Sequence, residues 1–183
     1  MSVEEILDIY TRDGKYLGTK TRKECHSENP GYYHKPVWIW IVNDNGEFLV
    51  QKRANSKKWF PGYWDIPSAG HLDAGEKSID GAIRETKEEL GIETKPEDYK
   101  FIGEYISDTT WEIGQVYLLK INNKTEDMKL QEEEVRRVKW ADQEEILKML
   151  KEGTFIPYHK ALIELLFWMR DHEGAHTHIG KRT

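Results

Sequence analysis

The stretch GHLDAGEKSIDGAIRETKEELGI, residues 70–92, constrains the fold of this 183-residue chain more than any other segment. Its apolar positions recur at the spacing that lines one side of an α-helix. They are Ile79, Ala82, Ile83, the half-apolar Thr86 and Leu90. Ser78 is suited to cap the start of the helix, and Gly91 is suited to end it. The pattern predicts an amphipathic helix that packs this stripe against a core.

Three glutamates crowd the same helix away from the apolar stripe. Glu85, Glu88 and Glu89 fall within an arc of about 100°. Like charges three or four positions apart destabilise a helix by a few tenths of a kcal/mol per pair. One interpretation is a solvated face, because acidic helix faces are common. The other is a site for a hard divalent cation, because grouped carboxylate oxygens suit Mg²⁺ or Mn²⁺.

The segments before and after this helix predict a mixture of strands and helices, without repeats or an obvious linker. One hairpin is expected from ILDIY and YLGTKT, within about residues 1–25. A second is expected from VWIWIV and EFLVQKR, where Asn45 and Gly46 suit a tight primed turn. VWIWIV is apolar throughout, which indicates a central strand covered on both faces. Further strands are expected in YKFIGEYI, GQVYLLKI and VRRVKWA.

Two more helices are expected towards the C-terminus. DQEEILKMLKEG has an aspartate near its start and Gly153 past its end. The segment from Pro157 to about residue 173 has apolar residues at helical spacing. His176 and His178 follow in a tail that is typical of a frayed end, although two histidines could also bind metal. We therefore expect one α/β domain over residues 1–183, with a mixed sheet between helices.

Charge and composition exclude several classes of function. The formal net charge of −6 argues against a broad electrostatic grip on nucleic acid or on an anionic membrane. Cys25 is the one cysteine, so no intramolecular disulfide forms, and this fits a reducing compartment. The N-terminus lacks a signal-peptide pattern, and the longest apolar runs are too short to span a bilayer. We expect a cytoplasmic protein with neither a nucleic-acid nor a membrane partner.

The polar positions of residues 70–92 resemble the signature of the Nudix hydrolases. Every fixed position of that pattern is filled here, by Gly70, Glu76, Arg84, Glu85, Glu88, Glu89, Gly91 and Ile92. Thr86 departs from the aliphatic residue that is usual in the family. The resemblance implies a Nudix-type α/β/α sandwich and hydrolysis of a diphosphate linked to another moiety, with a nucleoside diphosphate derivative as the leading substrate. It also implies Mg²⁺ or Mn²⁺ as cofactor.

The resemblance implies roles for these residues as well. In the family, metal is bound at positions that match Glu85, Glu88 and Glu89, with help from the backbone carbonyl that matches Gly70. The implied catalytic group is Glu88, Glu85 and Arg84. Glu88 is the leading match to the base that acts on the attacking water, although a carboxylate bound to metal is a poorer base. Glu76 and Arg84 match an ion pair that fastens the preceding loop to the helix.

An additional acidic ligand often comes from outside this signature in the family. Glu112 or the run Glu132 to Glu134 could supply it here. The alternative for the acidic run is a solvated loop.

A second resemblance covers the residues before the helix. HSENPGYYHKPVWIWIVNDNGEFLVQKRANSKKWFPGYWDIPSAGH is similar to a bacterial Nudix group related to type I isopentenyl diphosphate isomerase. In that isomerase, histidines matching His26, His34 and His71 bind a catalytic metal, which implies a second metal site. Residues matching Arg53 and Lys57 hold the substrate diphosphate there, and this pair is chemically apt for phosphate. The alternatives are structural histidines and a solvated basic pair.

The sequence departs from the isomerase at its acid/base cysteine. Ala69 stands there, and the neighbouring Ser68 is out of register and chemically a poor replacement for a thiol. The isomerase also has a catalytic pair of glutamates, and Glu112 is the one candidate for that pair in this sequence. Cys25 is expected to pack as a small apolar residue.

The two resemblances leave three candidate functions. A metal-dependent diphosphate hydrolase leads, an isopentenyl diphosphate isomerase follows, and a non-catalytic diphosphate-binding module is third. The partner is expected to be a small-molecule diphosphate, bound by a monomer or a homodimer. Four aromatic residues could stack a base, although aromatic residues on strands more often belong to a core. They are Trp38, Trp40, Tyr63 and Trp64.

Overall fold

One mixed sheet organises residues 4–172, the part of the chain that the computed structural model describes. Its strands are β1 (Ile6–Tyr10), β2 (Tyr16–Thr21), β3 (Tyr33–His34), β4 (Pro36–Val42), β5 (Phe48–Arg53), β6 (Trp64–Asp65), β7 (Ser68–His71), β8 (Tyr99–Ser107), β9 (Glu112–Lys120) and β10 (Val135–Ala141). The strand order is β10-β5-β4-β9-β3-β1-β2, with β6 on β5, β7 on β4 and β8 on β9. The α-helices are α1 (Arg22–Cys25), α2 (Ser78–Leu90), α3 (Gln143–Lys151) and α4 (Lys160–Asp171).

Strand β4 runs through the centre of this sheet. It pairs in parallel with β9, and β7 lies antiparallel along its other edge. Residues 37, 39 and 41 pack beneath α2, whereas residues 40 and 42 pack against α3 and α4. The prediction of a central strand covered on both faces is confirmed. So is the single-domain α/β class, with a mixed sheet between α2 on one side and α3 and α4 on the other.

The two predicted hairpins differ in outcome. β1 and β2 pair from Ile6–Thr21 onwards, as predicted. β4 and β5 pair only where Val42 meets Phe48, because β7 occupies the remainder of that edge of β4. The tight primed turn is wrong. The type I′ turn that an Asn-Gly pair favours needs a positive φ at both central residues. In this loop only Gly46 has a positive φ, at 77°.

Helix α2 forms where the apolar pattern predicts it, with buried Ala82, Thr86 and Leu90. It ends at Gly91, whose φ of 66° is the left-handed cap expected there. The prediction that Ser78 caps the helix is wrong. Ser78 is its first residue, and its hydroxyl lies 2.6 Å from the hydroxyl of Tyr117, so this side chain anchors the helix to β9.

Two further positions in α2 have structural explanations. A Cβ on Gly81 would lie 2.3 Å from Cδ2 of Leu72, so this helix approaches the preceding loop too closely for a side chain. Thr86, the departure from the family pattern, donates to the carbonyl of Ala82 at 2.8 Å and accepts from the hydroxyl of Tyr99 at 2.9 Å. A buried hydroxyl is therefore fully paired where the family has an aliphatic group.

The two later helices are present, but one starts late. Asp142 caps α3 by accepting from the amide of Glu145 at 2.8 Å. Helix α4 begins at Lys160 rather than at Pro157, because residues 154–156 hydrogen-bond to Trp64 as extended chain. No helix within residues 4–172 is long and apolar enough to cross a membrane. His176 and His178 lie outside the described residues.

Candidate functional site

Arg84 organises the acidic side of α2. Its Nε and one Nη each donate to a different oxygen of Glu76 at 2.9 Å, and the same Nη also donates to the backbone carbonyl of His71 at 2.9 Å. The other Nη donates to Glu85 at 2.7 Å and to Glu88 at 3.3 Å. One guanidinium thus fastens the loop before α2 to the helix and holds two of the three glutamates in place.

Glu85 lies directly against Gly70. A Cβ at position 70 would be 2.0 Å from the carboxyl carbon of Glu85, so only glycine leaves room for this carboxylate beside β7. The pKa of Glu85 is raised by burial and by the charge of Glu88, against the opposing effect of Arg84. The match between Gly70 and the family signature therefore has a steric reason.

Glu89 is buried, with 6% of its surface exposed. The backbone of the segment after residue 128 pairs with the end of α2 here, where the amide of Gln131 donates to the Glu89 carbonyl. Its Oε2 has no hydrogen-bond partner within residues 4–172. Burial raises its pKa well above the ordinary value, and the negative charges of Glu85 and Glu134 add to this. The interpretation of a solvated face is therefore wrong for Glu89. Of the three glutamates, only Glu88 is exposed enough to fit it.

Three histidines form a second cluster. Nε2 of His26 lies 2.8 Å from Nε2 of His71, and one ring nitrogen from each of these two and His34 lies within 4.8 Å of the others. His34 is fully buried, and neither of its ring nitrogens has a hydrogen-bond partner in the described part of the chain. Burial and the neighbouring cations lower the pKa of His34 to about 4 and that of His71 to about 2. Neutral imidazoles facing one another are suited to binding a metal ion.

Glu112 lies beside this histidine cluster. The register of β3 on β9 places it opposite His34, and Oε1 of Glu112 is 3.7 Å from Nε2 of His34. Burial raises the pKa of Glu112. The structure therefore brings a carboxylate, named from sequence only as one candidate among several, to the histidines.

Arg53 and Lys57 are both engaged by acidic residues. Arg53 donates to Asp65 at 2.9 Å and, through two other nitrogens, to the carbonyl of Trp59 at 3.1 and 3.2 Å. Lys57 forms an ion pair with Glu134. Asp65 is a buried residue that the sequence reasoning missed, since only the pairing of β6 with β5 brings it to Arg53.

A cleft of about 1270 Å³ lies beside Arg53 and Lys57. Its wall contains Arg53, Lys57 and Glu134, together with His26 and Glu112. Glu134 faces the buried Glu89 and His26 contacts His71, so the cleft adjoins both the glutamate and the histidine clusters.

The aromatic residues singled out from sequence are not part of this wall as described. Trp40 and Trp64 belong to the core beneath α3 and α4. The cleft is instead lined by Trp59, Phe60 and Trp111. The sequence signal for the first two was their place in a loop, before Pro61 and Gly62, rather than on a strand.

Ala69, the predicted match to the isomerase cysteine, lies against an apolar cluster. Ala69 pairs with Trp38 across β7 and β4 and packs on the α3 side of the sheet. Ser68 is buried and, by strand alternation, faces away from that position. Gly114, two residues after Glu112 on β9, has little room for a side chain, because a Cβ there would lie 3.1 Å from the Trp38 ring. Cys25 packs as a buried apolar residue with Leu7 and Ile9, as predicted.

Known proteins of similar sequence and fold agree with this architecture. The NUDIX domain profile matches residues 32–165. Nudix hydrolase 3 of Arabidopsis thaliana is 36% identical over 172 residues, which cover 85% of this chain but only 22% of that protein. An uncharacterised Nudix hydrolase of Clostridium acetobutylicum is 38% identical over 143 residues, 72% of this chain and 67% of that one.

The crystal structure of DR0079 from Deinococcus radiodurans shares the fold. Its TM-score is 0.71 at 20% identity, covering 88% of this chain and 97% of that one. An isopentenyl-diphosphate Δ-isomerase of Shigella boydii is 28% identical over 153 residues, 80% of this chain and 81% of that protein. Because the matching profile spans well over half of its length, this chain belongs to the Nudix hydrolase family, which acts on diphosphate-containing substrates.

Proposed function

We propose that this protein hydrolyses a diphosphate linked to another moiety, that the reaction depends on Mg²⁺ or Mn²⁺, and that the linked moiety is a nucleoside. One observation carries the proposal. Glu89 is a buried carboxylate with an unpartnered oxygen, close to the further negative charges of Glu85 and Glu134. Such a group is costly to the fold unless a cation compensates it.

The donor set fits a hard divalent cation. Glu85, Glu88 and Glu89 would hold it through carboxylate oxygens, and the backbone carbonyl of Gly70 would add a fourth oxygen. Arg84 donates to two of these carboxylates, so a cation would share them with the guanidinium. A bound cation supplies charge neutralisation on the diphosphate and Lewis-acid activation of the attacking water.

The chain's own groups then have distinct tasks. Glu88 is the accessible carboxylate of the three, with 54% of its side chain exposed, and in this proposal it accepts a proton from the attacking water. Arg84 orients Glu88 and Glu85 from its anchor on Glu76. Water attack at phosphorus breaks the phosphorus–oxygen bond to the leaving phosphate group, and the bridging oxygen departs with that group.

Arg53 and Lys57 hold the diphosphate in this proposal. Lys57 would exchange its partner Glu134 for a phosphate oxygen. That exchange frees the Glu134 carboxylate beside Glu89, where it can serve as the additional acidic ligand. Substrate binding and completion of the cation site are thereby linked through one lysine.

Isomerase-like chemistry is the second candidate, favoured by the histidine cluster with Glu112 beside His34. We assign this cluster to a second metal. Rearrangement of an isoprenoid diphosphate also needs a proton relay, and Ala69, the predicted match to the isomerase cysteine, offers no ionisable side chain for it. The hydrolase therefore takes precedence.

A substrate panel tests the proposal. Nucleoside, sugar and isoprenoid diphosphates are assayed with Mg²⁺ and with Mn²⁺ for released products. We expect cation-dependent hydrolysis of at least one nucleoside diphosphate derivative, lowered at least about 100-fold by Glu88→Gln. Glu93→Gln, an exposed glutamate just after the same helix, is the matched control and should retain activity. Full activity of Glu88→Gln, or hydrolysis indifferent to cations, would refute the assignment.

A further inference from the structure

Two aromatic residues on the cleft wall have an unusual backbone conformation. Phe60 has a φ of 49° and Trp111 a φ of 56°, and within residues 4–172 Asn29 is the other non-glycine residue with positive φ. Bulky residues adopt this region at a cost, and such positions cluster at ligand sites. Both line the same cleft, although they lie about fifty positions apart in the chain.

The same wall exposes aromatic surface. Trp59 is 69% exposed and Phe60 is 40% exposed. Trp111 is half-buried and stands 5.2 Å from the ring of Tyr33. The cleft thus offers three aromatic rings from two separate loops.

Hydrogen bonds tie these loops to the two clusters already described. The carbonyl of Trp59 accepts from Arg53, the residue assigned to the diphosphate. The carbonyl of Trp111 accepts from the amide of His34 at 3.1 Å. The backbone at Trp59 and at Trp111 is therefore held in place relative to Arg53 and His34.

We propose that Trp59, Phe60 and Trp111 form the subsite for a planar aromatic group, the nucleobase of the substrate. The proposal deepens the proposed function and rests on its assignment of Arg53 to the diphosphate. Every nucleobase offers a π face to aromatic side chains, and its edge offers polar groups. The cleft wall also carries charged residues, namely Glu5, Arg22, Lys23, Lys58 and Glu133. Such a wall suits a base with a polar edge better than an aliphatic isoprenoid chain, which needs an enclosed apolar pocket.

Three diphosphates that differ only in what they carry separate these alternatives. ADP carries a base, isopentenyl diphosphate carries an aliphatic chain, and inorganic pyrophosphate carries neither. Each is titrated into the full chain with Mg²⁺ while intrinsic tryptophan fluorescence is followed, and each dissociation constant is measured by isothermal titration calorimetry. We expect ADP to quench the emission and pyrophosphate to leave it unchanged.

The variants are Trp59→Ala, Trp59→Phe and, as matched control, Trp168→Phe on α4, which is 37% exposed and stacks on His172 away from the cleft. We expect Trp59→Ala to weaken ADP binding about tenfold and to change pyrophosphate binding less than about twofold. Trp59→Phe should restore most of the affinity, and Trp168→Phe should match wild type. Unchanged ADP affinity in Trp59→Ala overturns the proposal, as does an equal loss for isopentenyl diphosphate.

Kinetics separate this inference from the proposed function. With the nucleotide substrate identified by the panel, Trp59→Ala should raise KM about tenfold and leave kcat close to wild type. An unchanged KM in an active enzyme overturns the subsite while hydrolysis stands. Base-dependent quenching by ADP without turnover of any diphosphate supports the subsite and removes the hydrolase assignment.

Discussion

Arg53 donates to the buried carboxylate of Asp65 at 2.9 Å, and this ion pair joins the cleft to the core. Asp65 also accepts from the hydroxyl of Tyr158 at 3.0 Å and from the amide of Ile66 at 2.7 Å. Strand β6, the segment before α4 and the proposed diphosphate residue therefore meet at one carboxylate. The orientation of Arg53 depends on residues that touch no substrate.

Asp65→Asn should destabilise the fold by about 2–3 kcal/mol, because the amide leaves the largely buried Arg53 charge without its partner. Urea denaturation measures the change. Asp127→Asn, at an exposed position in the loop before β10, is the control and should stay within about 0.5 kcal/mol. Equal denaturation midpoints for Asp65→Asn and wild type would show that the pair contributes nothing.

Glu89→Gln should stabilise the metal-free protein above neutral pH. The substitution keeps the volume but removes a buried charge whose pKa is raised by burial and by Glu85 and Glu134. A gain of about 1 kcal/mol corresponds to a rise in Tm of about 2–4 °C. The same variant should lose the Tm increase that Mn²⁺ gives to wild type. Retention of that Mn²⁺ response would remove Glu89 from the cation site.

Arg84→Ala should lower the free energy of unfolding by about 2–4 kcal/mol, since Glu76 loses both of its hydrogen bonds to the guanidinium. Arg84→Lys should recover part of this, because one ammonium cannot reproduce the forked geometry. Lys87→Ala, in an exposed ion pair on the same helix, is the control. A melting temperature unaffected by Arg84→Ala contradicts the structural role.

The histidine cluster should make the metal-free protein less stable as pH falls. The pKa of His34 is lowered to about 4 by burial, by His26 and by Arg22, against about 6.5 in the unfolded chain. The unfolded state therefore binds the extra proton first, and stability falls from about pH 6.5 downwards until His34 itself protonates near pH 4. By linkage, His34 contributes a loss of about 2 kcal/mol between about pH 7 and about pH 5.

The readout for this pH effect is the difference between wild type and His34→Gln. Glu89 and Glu112 have raised pKa values and act with the opposite sign, so the overall curve alone is not diagnostic. The free energy of unfolding is measured at both pH values for both proteins. On acidification it should fall more, or rise less, in wild type than in His34→Gln. Identical changes would mean that His34 is not held neutral by the fold.

Isopentenyl diphosphate should give no dimethylallyl diphosphate with this protein, and no solvent deuterium should enter it. The reason is Ala69, the predicted match to the isomerase cysteine, which packs as an apolar side chain and cannot transfer a proton. The measurement is product analysis and mass spectrometry after incubation in D₂O with Mg²⁺. Steady isomerisation that Glu112→Gln abolishes would show that another group replaces the thiol.

Hydrophobic patterns in the sequence correctly predicted α2 and β4. The 3.6-residue period gave α2, and the uninterrupted apolar run gave β4 as the covered centre of the sheet. Three local predictions failed, two of them because tertiary contacts decided the outcome. Ser78 bonds Tyr117 instead of capping, residues 154–156 extend along Trp64 and delay α4, and the loop at Gly46 has only one left-handed residue.

The sequence predicted which residues form the candidate site, but not how deeply they are buried or which other residues they contact. The spacing around Glu85, Glu88 and Glu89 identified the family, yet a helical wheel could not show that Glu89 is buried in the folded chain. Asp65 and Trp111 carry no local signal at all. Asp65 reaches Arg53 through strand pairing, and Trp111 reaches the cleft through the register that sets Glu112 opposite His34.

The parallel ladder between β4 and β9 has a kinetic consequence. Val37 pairs with Gln115, 78 positions further along the chain, and the residues between them include β7 and α2. Closing so long a loop precedes any gain from its contacts, which slows folding relative to helical or hairpin proteins. A nascent chain that ends before β9 cannot yet oppose His34 with Glu112. The side of the cleft that carries Glu112 is therefore assembled only after β9 has been synthesised.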